Sequence, residues 1–343
     1  MKSKKIAVLV LAAAVLCAVL AAVGCSVRAE AQPANPPKIT PPTPAQSSSQ
    51  GAAQGAAQGA VVYMTDKITP EGLLAVYNAL GLEANGKVAV KISTGEPGNP
   101  NFLAASLIKN LVQKVNGTIV ECNTVYGGRR ASAAAHYQVA KEHGFTAIAP
   151  VVIMDEKSDI TIPVTGGKHL KEDIVGARFN EFNFHIVLSH FKGHPMGGFG
   201  GALKNMSIGY ASSAGKSWIH SAGKSKTGIS GIQNNFLESM AEAAKAVADA
   251  NKGRMLYINV MNNLSVDCDC TSRPAAPTMA NIGILASLDP VALDQACVDL
   301  IYKAKDGKDV IARIESRNGL LTINHAEAIG LGTKTYRLVR VDG

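Results

Sequence analysis

The chain reads as an α/β protein with a mixed, largely parallel sheet covered by helices and a more β-rich, irregular middle. Three observations predict this. Residues 87–150 alternate short apolar runs with amphipathic stretches in a βαβαβ order, which favours parallel strands joined by crossover helices. Residues 159–190 carry three strand-like runs with little helical periodicity. An 18-residue amphipathic stretch and two further apolar runs then resume the alternation.

The first 25 residues read as an export signal. Lys2, Lys4 and Lys5 precede an uncharged run from Ile6 to Val23, and Ala21-Ala22-Val23-Gly24-Cys25 looks like a lipoprotein processing site with Cys25 lipidated. The alternative is an uncleaved single-span anchor, since about 18 apolar residues nearly cross a bilayer. Either reading puts the bulk of the protein outside the cytoplasm, on a membrane. Residues 26–60 are rich in Pro, Gln, Ala, Ser and Gly and read as a disordered tether. An α/β domain is expected over 61–343.

Within it, Val88, Val90 and Ile92 alternate in a strand at 87–93, and Phe102, Leu103, Leu107, Leu111 and Val115 mark a helix at 101–115. A strand at 118–122, a helix at 132–142 closed by Gly144, and β structure at 146–150 follow. Strands are expected at 159–164, 171–177 and 184–190, a helix at 234–251 ended by Gly253, and strands at 254–260 and 281–286. Asp289 is placed to cap a helix that starts at Pro290.

The formal charge of +8 includes the three signal lysines, and aromatic residues make up only 5%, so no basic-aromatic surface for nucleic acid is expected. Four cysteines lie outside the signal. Cys122 sits in a strand and Cys297 in a helix, where buried thiols are inert. Cys268 and Cys270 are different, because Asp267-Cys268-Asp269-Cys270 packs two thiols and two carboxylates together after a strand. Cysteines one residue apart are not expected to pair, given the separation and torsion a disulfide needs. Thiolates and carboxylates do hold transition metals.

His190-Phe191-Lys192-Gly193-His194 also follows a strand and leads into a glycine-rich run with Gly200, Gly201, Lys204 and Asn205. His220 adds a third imidazole. The expected metal site is Cys268 and Cys270 with His190, His194 or His220, and with Asp267 or Asp269 as ligand or supporting partner. Lys192 and Lys204 are expected to orient an anionic substrate, and Gly200, Gly201, Asn205 and Arg129 to contact a cofactor. Zinc, iron or nickel suits such donors. The nucleophile-elbow pattern Gly-x-Ser-x-Gly is absent, and the two cysteines cannot supply a conventional four-cysteine iron–sulfur cluster. Whether the site turns over a substrate or only captures a small anion or metal stays open, as does any redox partner.

Lys192-Gly193-His194, the segment from Gly200 to Asn205, Asp267-Cys268-Asp269-Cys270, and the segment from Ile284 to Asp294 occur in that order over about 62–340. In this the chain resembles the family called domain of unknown function 362, often described as iron–sulfur centre proteins. The resemblance implies a ferredoxin-like, cysteine-bearing insert after the segment Lys216 to His220. Here residues 221–230 stand in its place and contain no cysteine. The resemblance therefore implies the core but not the cluster.

Overall fold

Five strands that lie side by side and point the same way organise the molecule. The computed structural model describes residues 59–341. The expected export signal, with Cys25, and nearly all of the expected tether lie outside the described residues. Of the expected tether only Gly59 and Ala60 are described, and β1 (Ala60–Thr65) starts at Ala60.

The main sheet has eight strands in the order β12-β1-β11-β10-β7-β2-β3-β4. They are β1, β2 (Val88–Lys91), β3 (Thr118–Glu121), β4 (Val151–Ile153), β7 (Phe184–His190), β10 (Met255–Met261), β11 (Gly283–Ser287) and β12 (Tyr336–Arg340), while β5 (Asp159–Pro163) and β6 (Glu172–Gly176) pair antiparallel with each other in a separate sheet. Only β11 runs against the others. Every residue of β2, β7 and β10 is buried, as befits central parallel strands covered on both faces. The helices α1 (Pro70–Ala79) and α2 (Ala105–Lys114) cover one face, with Leu73, Val76, Ile108 and Leu111 packing on Val90, Ile186 and Ile258. Helices α4 (Ala202–Tyr210), α6 (Gln233–Ala250) and α7 (Pro290–Lys303) cover the other, through Leu203, Met240, Leu237 and Leu293. The remaining helices are α3 (Ala133–Glu142), α5 (Ser213–His220), α8 (Lys308–Ser316) and α9 (Leu320–Ala328).

Most expected elements stand near their expected bounds. Asp289 caps α7, accepting from the Val291 and Ala292 amides at 2.9 and 3.0 Å. One run is shifted: residues 145–147 form a 3-10 turn and β4 begins only at Val151, because Gly144 at φ 82° turns the chain before it can extend. No helix among the described residues is long and apolar enough to cross a membrane.

The order of the strands creates the site. From β2 the chain steps outward through β3 to β4, then returns to β7 on the other side of β2 and continues to β10. Successive connections therefore leave in opposite directions at the β2–β7 junction, which opens a crevice at the carboxyl ends of these strands. The two strands pair as far as Lys91 and Val187. Just beyond, Asn205 from α4 fills the widening gap. Its amide nitrogen lies 3.2 Å from the Lys91 carbonyl, 3.3 Å from the Leu188 carbonyl and 3.1 Å from Ser189 Oγ.

Beyond β7 the chain folds back as a short hairpin, β8 (Lys192–His194) against β9 (Gly198–Gly200). Successive side chains of extended backbone alternate in direction. His190, Lys192 and His194 thus share one face, while Phe191 turns away to stack on Phe199 with ring centroids 5.4 Å apart. Gly193 faces the loop after β10 so closely that a Cβ there would sit 2.5 Å from the Val266 carbonyl oxygen and 2.6 Å from its Cα. Substituting Gly193→Ala should push that loop off the hairpin and lower stability by about 1–3 kcal/mol. Urea unfolding of the variant checks this; a wild-type midpoint would show that the loop yields without cost.

Candidate functional site

A cavity of about 330 Å³ lies at the carboxyl ends of the parallel strands. Strand ends supply its floor. Lys91 is the last residue of β2, Glu121 of β3 and His190 of β7, and each is buried. The hairpin adds Lys192 and His194, α4 adds Lys204, α5 adds Lys216 and His220, and the loop after β10 adds Cys268, Asp269 and Cys270. The two dense stretches of the sequence therefore meet in space.

Asp269 makes the junction. Its side chain is 2% exposed and lies between His190 Nδ1 at 2.8 Å and Lys192 Nζ at 2.7 Å. Burial alone would raise its pKa, but the Lys192 and His190 charges outweigh burial and hold it well below the ordinary carboxylate value. His190 also donates from Nε2 to the Asn262 carbonyl at 2.6 Å. Both of its nitrogens are thus committed to acceptors, so neither is free to bind a metal. Lys192 makes its second bond to the His190 carbonyl at 2.9 Å.

Asp267 points the other way. It accepts from the Ala275 amide at 2.9 Å and lies 3.6 Å from Arg313, outside the cavity. Alternation along the loop separates the two aspartates: one ties the loop inward, the other closes its outer turn. Further bonds fix the loop to the turn after β2, with the Glu96 backbone N–H donating to the Asp269 carbonyl at 2.8 Å and the Asn99 side-chain Nδ2 donating to the Thr271 carbonyl at 2.7 Å.

Against expectation, Cys268 and Cys270 are joined as a disulfide. Their Cα atoms are 5.2 Å apart, inside the range a disulfide spans, because the inward turn of Asp269 folds the three residues back on themselves. Cys268 is buried and Cys270 half-buried. Ligand atoms of His194, Cys268 and Cys270 all lie within 4.8 Å of one another, a group able to hold a metal ion. That capacity requires the thiolate form, since metals bind deprotonated sulfur.

The two remaining histidines differ in tautomer. The amides of Met196 and Gly197 donate to His194 Nδ1 at 3.1 and 2.8 Å, so its neutral ring carries hydrogen on Nε2, 3.9 Å from Cys270 Sγ. Burial, followed by Lys204 and Lys192, keeps this ring neutral. In this tautomer His194 is a hydrogen donor to sulfur; serving as a ligand would require its proton to leave Nε2. His220 is the reverse. Its Nδ1 donates to the Lys216 carbonyl at 2.7 Å, the support a metal-binding histidine commonly has, and burial lowers its pKa to about 4. Its Nε2 has no hydrogen-bond partner among the described residues, though it stands outside the three-residue group. The reduced site thus fits a soft cation at the two sulfurs, with the imidazoles beside it.

Of the four expected cofactor contacts, Gly200, Gly201 and Asn205 line the cavity and Arg129 does not. Arg129 is on the surface in a two-pronged pair with Glu142 at 2.7 Å, and its neighbour Arg130 is the one that turns in. Arg130 bonds Glu96 at 2.8 Å and Glu121 at 3.3 Å. Asn205 is fully engaged with backbone at the strand gap and with Lys91 at 3.1 Å. Gly201 lines the cavity, but its lack of a side chain admits the Asp294 carboxylate, which caps α4 through the Ala202 and Leu203 amides at 2.8 and 2.9 Å. Gly200 lies between Lys192 and Lys204.

Sequence reasoning missed Lys91, Glu121, Arg130 and Lys216. The available signal was a charge closing an apolar strand, as in Val88-Ala89-Val90-Lys91 and Thr118-Ile119-Val120-Glu121. Lys91 bonds Glu121 at 3.0 Å, and although burial opposes ionisation, Lys91 and Arg130 hold the Glu121 carboxyl at about 2. Cys122 and Cys297 are buried. Burial pushes the Cys122 thiol up to about 12, so it does not ionise near neutrality.

The family described as "Domain of unknown function (DUF362)" matches residues 88–299. No curated protein matches the chain. Among solved structures, the lactate racemase apoprotein from Thermoanaerobacterium thermosaccharolyticum is similar at 13% identity and a TM-score of 0.36, over 59% of this chain and 50% of that one. A protein from Thermotoga maritima is similar at 13% identity and a TM-score of 0.38, over 77% of this chain and 60% of that one. The chain thus spans half to three fifths of the length of these structures.

Replacing Asp269 by Ala leaves Lys192 and His190 buried without their acceptor and should cost about 3–5 kcal/mol. Because the folded carboxyl is depressed, its contribution is complete above the ordinary carboxylate value near pH 4 and is lost as pH falls below it. Thermal melts from pH 7 to pH 2 check this. The wild-type advantage over Asp269→Ala should be constant above about pH 5 and shrink in acid; an advantage independent of pH would refute the ionic pairing.

Proposed function

The chain belongs to the domain of unknown function 362 family, and from that premise we propose that it holds a small anionic molecule beside a Cys268–Cys270 centre that binds a soft transition metal when reduced. The supporting observation is a shared cavity. The only three-residue metal-binding group found among the described residues opens into the same space as five cationic side chains, Lys91, Arg130, Lys192, Lys204 and Lys216, against two carboxylates, Glu121 and Asp269. Such an excess of positive charge, behind low-dielectric walls, selects an anion.

Each part has a separate task. Asp269 holds the sulfurs at the cavity wall while its own charge is neutralised by Lys192 and His190. His194 directs an N–H toward Cys270 and so favours its thiolate. Lys216 has one bond, to the Ala211 carbonyl at 2.6 Å, which leaves two N–H groups for a ligand. A metal at the sulfurs, of the class zinc, iron or nickel, would supply Lewis-acid or redox chemistry to the anion beside it. Capture of an anion without turnover is the second reading. It is favoured by the disulfide, which leaves the cationic wall intact and withdraws both thiolates.

We further propose that the domain works outside the cytoplasm, tethered to the membrane by lipid on Cys25. The signal-like residues 1–25 support this, and an oxidising compartment suits the disulfide.

Elemental analysis of the protein purified without oxygen, before and after dithiol reduction, tests the centre. Metal should bind near one equivalent only after reduction and be absent from Cys268→Ser/Cys270→Ser; equal metal in that variant would sink the reading. For location, labelling with radioactive palmitate should mark the wild type and not Cys25→Ala. A mature chain that keeps residues 1–24 and takes up no label would establish the uncleaved anchor instead.

A further inference from the structure

Four of the five cations that line the cavity are already held. Lys91 donates to Ile92 O, Glu121 and Asn205 at 2.6, 3.0 and 3.1 Å; Arg130 bonds Glu96, Glu121 and Tyr126; Lys192 bonds Asp269; Lys216 bonds a carbonyl. The Lys204 side-chain nitrogen makes no hydrogen bond and no ion pair among the described residues. It stands in the first turn of α4, half-buried, with its stem beside Gly200. A Cβ at Gly200 would lie 3.7 Å from Lys204 Cδ, 3.8 Å from Lys192 Cε and 3.9 Å from Lys192 Nζ. The glycine therefore leaves two lysine chains side by side, one paired to a carboxylate and one free.

A free ammonium in that position is disfavoured. Burial comes first, Lys192 on the hairpin second, and Lys216 on α5 and Lys91 on β2 add to it. Asp269 acts in the other direction but is already balanced by Lys192 and His190. His194 and His220 face the same space as neutral rings. Together these bring Lys204 to about 7, well below an ordinary lysine, so that it gives up its proton far more readily near neutral pH. Amines desolvated beside another cation are nucleophiles toward carbonyl carbon.

We propose that Lys204 is a nucleophile that condenses with the carbonyl of a small 2-oxo acid. The class follows from the neighbours. Lys192 keeps one N–H and Lys216 two beyond their present bonds, enough to hold a carboxylate on the carbon next to the carbonyl. The Lys204 amine attacks the carbonyl carbon and a C–N bond forms. The carbonyl oxygen takes up the two amine hydrogens and leaves as water, giving an imine with no change in oxidation state. This rests on the anion-binding reading of the cavity and adds a covalent step to it.

The test uses pyruvate as probe with cyanoborohydride as trap on the full-length protein, followed by peptide mapping. A single adduct at Lys204 is expected, lost in both Lys204→Arg and Lys204→Met, with a trapping rate that falls as pH drops below about 7. Two variants are used so that one misfolded protein cannot decide the result. An adduct spread over surface lysines, or unchanged in both variants, overturns the proposal. Calorimetry with pyruvate and no trap separates the two readings: binding without adduct overturns the nucleophile alone, and absence of binding overturns the anion pocket with it.

Discussion

The Asp269 carboxylate between His190 and Lys192 is the contact on which the site depends. Those residues are 79 and 77 positions away in the chain, and the three groups are buried together. An unpaired charge in such a place would be costly, so the loop is stable in this position only with both partners present. The same turn that sends Asp269 inward brings its two neighbouring sulfurs together and leaves Cys270 at the cavity wall. The motif is thus a carboxylate anchor with a sulfur on either side.

A second buried cluster does similar work across the crevice. Glu121 accepts from Lys91 and Arg130, and Glu96 accepts from Arg130 and Tyr126. These contacts tie the ends of β2 and β3 to the loop after β3. Between them the two clusters neutralise most of the cations they contain. What remains at the cavity is a small, directed excess: the spare donors of Lys192 and Lys216, and the unpaired Lys204. Electrostatics here is a matter of which positive group has no partner rather than of how many there are.

The glycines explain how such clusters can be this close. Gly193 admits the Val266 backbone, and Gly201 admits Asp294 at the start of α4. Each sits where a strand or helix must touch another segment of backbone or a carboxylate. Their common effect is to let the hairpin, the loop after β10 and α4 meet around one space. Asn205 completes the arrangement by satisfying the carbonyls that β2 and β7 can no longer satisfy for each other.

Much of the fold was legible in the residues. Apolar periodicity marked the central strands and most helices, because burial on both sheet faces writes itself into local sequence. The convergence of the histidine-rich and cysteine-rich stretches was readable only as a possibility of strand ends on one edge. The roles inside them were not readable: Asp267 and Asp269 are chemically identical, as are the neighbours Arg129 and Arg130, and only the direction of the backbone at each decides which enters the cavity. The pairing of Cys268 with Cys270 was missed for the same reason, since it depends on a turn fixed by His190 and Lys192 far away in the chain. By itself, then, the sequence determined the fold class and the residue types of the site, which follow from local hydrophobic pattern and composition. Tertiary structure decided which polar groups are neutralised and which are left free, because that depends on long-range partners that no local pattern encodes.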